Sequence, residues 1–320
     1  MPMAAIQQGD DMTAKNRQIA VIGAGLMGHG IALTLARAGQ YVALTDPFPE
    51  ARASAPARIR ASMAAMGIAE PEIARALKKI EIFETTAGAV RGAEVVFEAA
   101  PEKLDLKRQI FAEIEGHAPP SCILASNTSV MPITQIMSGL RLKGRALGTH
   151  WWNPPHLIPL VEVVKTEWTE DGVAADMMDL LQDAGKTPVL VAKDVPGFIG
   201  NRLQHALWRE AISLVENGIC DAEAVDTVIK ASFGRRLSVL GPLETADLVG
   251  TDLTLDIHQN VLFDLESRKG PSPYLKKLVA EGKLGMKTGE GFRKWTEAEA
   301  NDVRSRVARH LKRLDGILID

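Results

Sequence analysis

A glycine-rich turn directly after an apolar run is the feature that most constrains how this chain can fold. The run "QIAVI" (18–22) is typical of a buried strand, and "GAGLMGHGIALTLARAG" follows it as a turn that opens a helix. Such glycines allow a tight turn, close approach of a ligand and close packing of helix on strand. The helix start also offers unpaired N–H groups to phosphates. The pattern favours a dinucleotide site over a ligand-free turn, with contacts from Gly23, Ala24, Gly25, Leu26, Met27 and Gly28.

An acidic residue at the end of the second predicted strand indicates which dinucleotide is bound. The run "YVALTD" (41–46) ends at Asp46. A carboxylate in this place can accept hydrogen bonds from both ribose hydroxyls, and it would repel a 2′-phosphate. We therefore expect NAD rather than NADP.

Strand and helix patterns alternate through the first half of the 320-residue chain. This alternation predicts an α/β fold with a Rossmann-type, doubly wound, mostly parallel sheet. The further strand candidates are "EVVFEA" (94–99), "CILAS" (122–126), "RALGTH" (145–150), "LVEVV" (160–164) and "PVLVA" (188–192).

The character of the sequence changes near Asp194–Gly197, where Pro196-Gly197 would break regular structure. Beyond this point the chain is almost entirely helical in pattern. We predict a flexible tail (1–16), an NAD-binding domain (17–194) and an all-helical C-terminal domain for substrate binding and dimerisation (195–320).

Bulk composition excludes several other classes of protein. The net charge of −3 gives no basis for a sequence-independent grip on nucleic acid. No apolar run approaches the roughly 18 residues of a membrane span, and the N-terminus lacks the apolar region of a signal peptide. Cys122 and Cys220 are isolated from each other and from histidines, which argues against disulfides and bound metal. We expect a cytoplasmic protein.

The stretch "GTHWWNPPHLIPLVEVV" (148–164) places His150 and Glu162 among strand-forming apolar residues. The two are either polar residues paired in a core or a proton-transfer pair. Oxidation of a secondary alcohol needs a base for the hydroxyl proton, and a neutral imidazole has a suitable pKa. A carboxylate on the other ring nitrogen would fix the tautomer and stabilise the imidazolium. The stretch by itself leaves both interpretations open.

Six motifs stand along the chain, some of them directly after predicted strands. In order they are "VIGAGLMGHGIA", "SNTS", "HWWNP" with "LVEVV", "PGFIGNR", "GPLE" and "GMKTGEGF". In order and approximate spacing the set resembles the 3-hydroxyacyl-CoA dehydrogenase family, over nearly the whole chain from Arg17 to Trp295.

The resemblance implies a role for each matching residue. His150 is the catalytic acid/base with Glu162 as its carboxylate partner, and Ser129 and Asn201 bind the oxygens of the substrate. The residues that match cofactor contacts of the family are Glu102, Lys107 and Lys287. By the same resemblance we expect a homodimer formed through the C-terminal helices.

The chain also departs from the members of the family that use coenzyme A. Ser62 matches a serine that holds coenzyme A, but Ala69 stands where those members have a lysine. Before "GPLE" the chain has "FGRRLSVL", which adds Arg235 and Arg236. An arginine can bind a carboxylate through two hydrogen bonds, although both arginines could instead face solvent.

These departures favour members that oxidise free small molecules, such as gulonate 3-dehydrogenase, carnitine dehydrogenase and a dehydrogenase of pyridoxine degradation. We therefore expect a small hydroxy acid that bears a carboxylate, bound by Arg236. An L-3-hydroxyacyl-CoA substrate, a second group of β-hydroxyacid dehydrogenases and a non-catalytic NAD-binding protein are the alternatives. His156 has no assigned role, and the roles of Trp151 and Trp152 stay open.

Overall fold

The structure, a computed structural model, describes residues 16–314. The predicted tail (1–16) lies outside the described residues apart from Asn16. Contacts between residues divide the chain into two units, the first ending at Asn201 and the second beginning at Arg202.

The first unit is built on an eight-stranded sheet in the order β3-β2-β1-β4-β5-β6-β7-β8. Neighbouring strands are parallel except β6 and β7, which form an antiparallel pair. The strands are β1 (Gln18–Ile22), β2 (Tyr41–Thr45), β3 (Ile80–Phe83), β4 (Val95–Glu98), β5 (Ile123–Ser126), β6 (Ala146–Trp151), β7 (Leu160–Lys165) and β8 (Thr187–Val191). The predicted mostly parallel, doubly wound sheet is confirmed.

Helices cover both faces of this sheet, because its central strands are apolar on both sides. The helices are α1 (Leu26–Arg37), α2 (Pro49–Ala65), α3 (Glu70–Leu77), α4 (Thr86–Val90), α5 (Leu104–His117), α6 (Ile133–Ile136) and α7 (Asp171–Asp183). One core cluster joins α1, α2 and α7 through residues such as Ile31, Ile59 and Met177. A second cluster, on α4, α5 and α6, includes Phe111 and Ile133.

The chain reverses its winding direction between β1 and β4. From β1 it proceeds outward through β2 and β3, and then returns to pair β4 with the other side of β1. At such a reversal the loops after neighbouring strands separate and leave a crevice at their carboxyl ends. The segments that follow β1, β4 and β5, and the carboxyl end of β6, carry most of the residues that the sequence singled out.

One strand, β3, was missed by the sequence reasoning. Its residues "IEIF" alternate with charged neighbours, and none of the four is fully buried. As an edge strand paired only with β2, it lacks the continuous apolar run that identifies the central strands.

The second unit is helical, as predicted. Helix α8 (Gly200–Glu216) leads into it, followed by α9 (Ala222–Ala231), α10 (Pro242–Val249), α11 (Thr251–Val261), α12 (Pro273–Ala280) and α13 (Glu297–Leu314). Helices α9, α10 and α11 contain no residue that the other described residues bury. Within residues 16–314, no helix combines the length and the apolar character needed to cross a membrane.

Candidate active site

The turn after β1 forms a cradle of backbone at the start of α1. Gly23 has a φ of 104°, and a Cβ there would lie 2.8 Å from the carbonyl oxygen of Ala99. A Cβ on Gly28 would lie 1.7 Å from the carbonyl oxygen of Gly23. At Gly25, the N-cap of α1, a Cβ would meet nothing within 4 Å, and no side chain caps the helix. With no capping side chain, the N–H groups at the start of α1 are available to a pyrophosphate.

Asp46 lies beside this turn, one residue beyond β2. Its Oδ2 accepts a hydrogen bond of 2.8 Å from the Ala24 N–H, and its Oδ1 accepts one of 2.9 Å from the Phe48 N–H. The carboxylate therefore orders the glycine turn, and its predicted contact with the ribose stays a prediction. Each oxygen retains a further lone pair for a ribose hydroxyl.

His150 and Glu162 face each other across the antiparallel strands β6 and β7. His150 Nδ1 lies 2.7 Å from Glu162 Oε2, and both side chains are buried. The carboxylate makes Nδ1 the protonated ring nitrogen, which leaves Nε2 as the one that can accept a proton.

Glu162 is also bound by the backbone at the start of α8. Its Oε1 accepts hydrogen bonds from the N–H groups of Ile199, at 2.8 Å, and Gly200, at 3.0 Å. Burial alone would raise the pKa of Glu162, but the hydrogen bonds from His150, Gly200 and Ile199 outweigh it and lower that pKa. The carboxylate is held in its charged form.

Two aromatic rings enclose the imidazole. The ring centroids of Trp152 and Phe198 lie 5.1 Å and 5.7 Å from that of His150. Trp152 also packs on Gly200, where a Cβ would be 2.4 Å from its Cζ2 atom. Trp151 instead belongs to the core and packs edge-on against Phe97, with centroids 5.9 Å apart. The two tryptophans have different surroundings, and of their two rings it is that of Trp152 that packs against the His150 ring.

Ser129 and Asn201 are brought together in the same unit. The side-chain amide of Asn201 donates to the Ser129 carbonyl oxygen at 2.7 Å. Glu102 accepts hydrogen bonds from the Ser129 N–H and from Thr128 Oγ1. The loop after β5 is therefore tied both to the start of α8 and to the loop after β4.

The predicted cofactor contact of Lys107 stays a prediction, and the structure shows a buried lysine on α5. Its side chain is completely buried, and its ammonium donates to Glu98 Oε1 at 2.7 Å and to the Ala100 carbonyl oxygen at 3.1 Å. Glu102, in contrast, keeps 38% of its side-chain surface exposed.

Two further predicted residues lie in the second unit. Lys287 lines a cavity of about 680 Å³ together with Trp208 and Leu278. Arg236 follows a short 3-10 turn, Phe233–Arg235, and is exposed. Their contributions to the site stay predictions.

Sequence reasoning missed three groups that the site uses. Glu98 ends β4 and is fully buried, and Asn127 accepts a hydrogen bond of 2.9 Å from the Trp151 N–H. The N–H groups of Ile199 and Gly200 bind the carboxylate of Glu162. The only available signals were a charged residue at the end of an apolar strand and the asparagine of "SNTS", since backbone donors have no sequence signature.

Comparison with known proteins identifies a family that matches this architecture. Residues 18–195 match the model of the 3-hydroxyacyl-CoA dehydrogenase NAD binding domain, and residues 197–295 match that of the 3-hydroxyacyl-CoA dehydrogenase C-terminal domain.

Relatives include enzymes with different substrates in their names. The chain is 35% identical over 305 residues to 5-formyl-3-hydroxy-2-methylpyridine 4-carboxylate 5-dehydrogenase of Mesorhizobium japonicum, covering 94% of this chain and 98% of that one. It is 38% identical over 286 residues to a probable 3-hydroxybutyryl-CoA dehydrogenase of Bacillus subtilis, covering 88% of this chain and 98% of that one.

A solved structure is similar over the same extent. The crystal structure of 5-formyl-3-hydroxy-2-methylpyridine 4-carboxylic acid 5-dehydrogenase, described as an NAD⁺-dependent dismutase, superposes with a TM-score of 0.88 at 35% identity. The superposition covers 95% of this chain and 98% of that chain. The chain therefore belongs to the 3-hydroxyacyl-CoA dehydrogenase family, NAD-dependent dehydrogenases that act on CH–OH groups.

Proposed function

We propose that this dehydrogenase oxidises the secondary hydroxyl of a small hydroxy acid that bears a carboxylate, with His150 as the proton acceptor. The observation that carries the proposal is the buried His150–Glu162 pair, joined at 2.7 Å. A carboxylate with a lowered pKa beside a buried imidazole is the arrangement that proton abstraction from an alcohol requires.

Different residues of the site bind the cofactor, accept the proton and orient the substrate. The glycine turn and Asp46 hold NAD, which supplies the acceptor for the hydride. His150 Nε2 takes the hydroxyl proton, and Glu162 stabilises the imidazolium through Nδ1. Trp152 and Phe198 limit access of water to the imidazole, which strengthens this electrostatic interaction. Ser129 and Asn201 orient the substrate oxygens.

The region that matches the coenzyme A contacts of the family offers little to bind a phosphate. The hydroxyl of Ser62 lies 3.3 Å from His29 Nε2, a buried ring whose Nδ1 contacts the Gly25 carbonyl oxygen at 2.9 Å. Arg58 donates to backbone carbonyl oxygens, and Arg60 is ion-paired with Glu70. With Ala69 where a lysine would stand, these contacts support a substrate without coenzyme A.

The carboxylate of the substrate is assigned to Arg236. The relative from Mesorhizobium japonicum acts, by its name, on a pyridine carboxylate. Arg236 is exposed and its guanidinium has no hydrogen bond or ion pair within residues 16–314, so it can bind a carboxylate through both nitrogens.

We also propose that the protein is a cytoplasmic homodimer formed through the helical domain. Large apolar side chains of the second unit are exposed, for example Leu243 at 79% and Phe263 at 83%. Burial of such apolar side chains against a second copy would remove them from water. Burial raises the pKa of the Cys122 thiol to about 12, so this cysteine stays a thiol.

The proposal is tested by NADH production from three kinds of substrate. We expect turnover with a free hydroxy acid of the carnitine, gulonate or hydroxymethylpyridine carboxylate type, and little with L-3-hydroxybutyryl-CoA. Turnover with the thioester alone would overturn the substrate class and retain the enzyme class. Binding of NADH without turnover of any substrate would favour a non-catalytic protein.

Arg236 is tested separately in the same assay. Arg236→Ala should raise KM at least about tenfold with little change in kcat, because it removes a contact present in both ground and transition states. Arg235→Ala is the matched control and should leave KM unchanged. An unaltered KM in Arg236→Ala removes this residue from the substrate site.

A further inference from the structure

A buried lysine, Lys107, forms an ion pair with Glu98 at the carboxyl end of β4. The side chains of Lys107 and Glu98 have no exposed surface, and the Lys107 Nζ lies 2.7 Å from Glu98 Oε1. Removing two charges from water is costly, so a buried ion pair needs hydrogen bonds to satisfy its remaining atoms. This pair has them.

Glu98 stands at the point where the sheet reverses its winding. It ends β4 and is in register with Ile22 of β1 on one side and Ser126 of β5 on the other. Its Oε2 accepts from Ser126 Oγ at 2.6 Å, and its Oε1 also accepts from the Ala100 N–H at 2.7 Å. The carboxylate thus binds the ends of both β4 and β5.

Lys107 extends this network to Glu102. Its ammonium lies 3.7 Å from Glu102 Oε2 and donates to the Ala100 carbonyl oxygen. Glu102 in turn binds Thr128 Oγ1 at 2.9 Å and the Ser129 N–H. Without the ammonium, the carboxylates of Glu98 and Glu102 would be uncompensated charges near the same position.

The network ends at the loop that carries the proposed substrate contacts. Thr128 Oγ1 accepts from the Met131 N–H at 3.1 Å, which closes the turn around Ser129. The Ser129 carbonyl oxygen accepts from Asn201 at 2.7 Å. The position of Ser129 therefore depends on Glu102, and that of Glu102 depends on the buried ion pair.

We infer that Glu98 and Lys107 are positioning residues, whose buried ion pair holds Glu102 and thereby fixes the Ser129 loop for the substrate. The inference rests on the proposed role of Ser129. The hydrogen bonds that the structure gives the Lys107 ammonium go to Glu98 and to the Ala100 carbonyl oxygen, so this positioning role does not depend on the predicted contact of Lys107 with NAD.

The variants Glu98→Gln and Lys107→Met, alone and together, test the inference. Glutamine retains the size of Glu98, and methionine fills the space of the lysine side chain. Each single change leaves a buried charge unpaired and should lower Tm, whereas the double variant should recover most of the loss. Lys103→Met is the matched control, since Lys103 is exposed on the same segment.

Kinetics and NADH binding are then compared among these variants. We expect kcat/KM for the hydroxy substrate to fall at least about tenfold in the double variant despite its recovered Tm, because Glu102 has lost its anchor. The assay uses saturating NAD, so that weaker cofactor binding through Glu102, itself matched to a cofactor contact, does not enter this kcat/KM. A double variant with wild-type kcat/KM would show that the ion pair has only a structural role. A rise in the Kd of NADH in Lys107→Met as large as the fall in kcat/KM would show that Lys107 acts by contacting the cofactor.

Hydrogen exchange at residues 128–131 provides a readout independent of activity. The amide of Ser129 should exchange at least about tenfold faster in the double variant than in the wild type or Lys103→Met. Unchanged exchange refutes the inference even if the enzyme is active. Faster exchange in a chain that oxidises no hydroxy acid would uphold the positioning network and reject the proposed function.

Discussion

Acidification should destabilise the fold through His156, a residue outside the proposed catalytic machinery. Burial, together with the neighbouring charges of His29 and Lys186, lowers the pKa of His156 from 6.5 to about 4. Its ring is half-buried against α1, where a Cβ on Gly30 would lie 3.1 Å from its Nδ1 atom. The folded protein thus holds this imidazole in its neutral form.

The sign and size of the effect follow from linkage. Above a pH of about 6.5 the imidazole is neutral in both states; between about 6.5 and 4 the unfolded state binds a proton that the folded state does not. The free energy of unfolding therefore decreases as the pH decreases across this window, by about 1.8 kcal/mol between about pH 7 and pH 5. This value is an upper limit, because partial exposure of the ring screens its interactions, and about 1 kcal/mol is expected.

The assay is urea unfolding of the wild type and of His156→Gln at both pH values. On going from about pH 7 to about pH 5, the wild type should lose about 1 kcal/mol more free energy of unfolding than His156→Gln. Comparison with the variant cancels the contributions of other titrating groups. A difference that does not change with pH would refute the assignment of a neutral, buried His156.

Three further changes probe the site. Glu162→Gln should lower kcat by about 10²–10⁴-fold with little change in the Kd of NADH, since the imidazolium loses its counter-charge; a smaller loss would show that the carboxylate only orients the ring. Gly200→Ala places a Cβ 2.4 Å from the Cζ2 of Trp152 and should cost about 1–3 kcal/mol of stability and lower kcat/KM, whereas Gly172→Ala, where a Cβ meets nothing within 4 Å, should do neither. Asp46→Ala should reduce the preference for NAD over NADP by at least about tenfold, and an unchanged ratio of kcat/KM for the two cofactors would remove Asp46 from that selection.

The central strands of the sheet could be predicted from sequence because they are buried on both faces. Runs such as "QIAVI" and "LVEVV" are apolar at most positions, which indicates a strand buried on both faces. The edge strand β3 has no such run and was missed. The glycine turn was predictable for a similar reason, since only glycine can occupy Gly28, 1.7 Å from a carbonyl oxygen.

The site was less predictable, because its geometry depends on pairing between distant segments. The motifs indicated His150 and Glu162 as site residues. The distance of 2.7 Å between His150 Nδ1 and Glu162 Oε2, however, results from the antiparallel register of β6 and β7. The match of Lys107 with a cofactor contact stays a prediction, and its burial against Glu98 could not be read from the sequence. The position of a long side chain is set by partners that lie on other strands.

The rate of hydride transfer in His150→Gln, measured in a single turnover with saturating NAD and hydroxy acid, tests the central claim most directly. We expect a fall of about 10²–10⁴-fold with a Kd of NADH within about twofold of the wild type, and a wild-type rate in His156→Gln. A rate in His150→Gln within about tenfold of the wild type would contradict the claim that this imidazole accepts the proton.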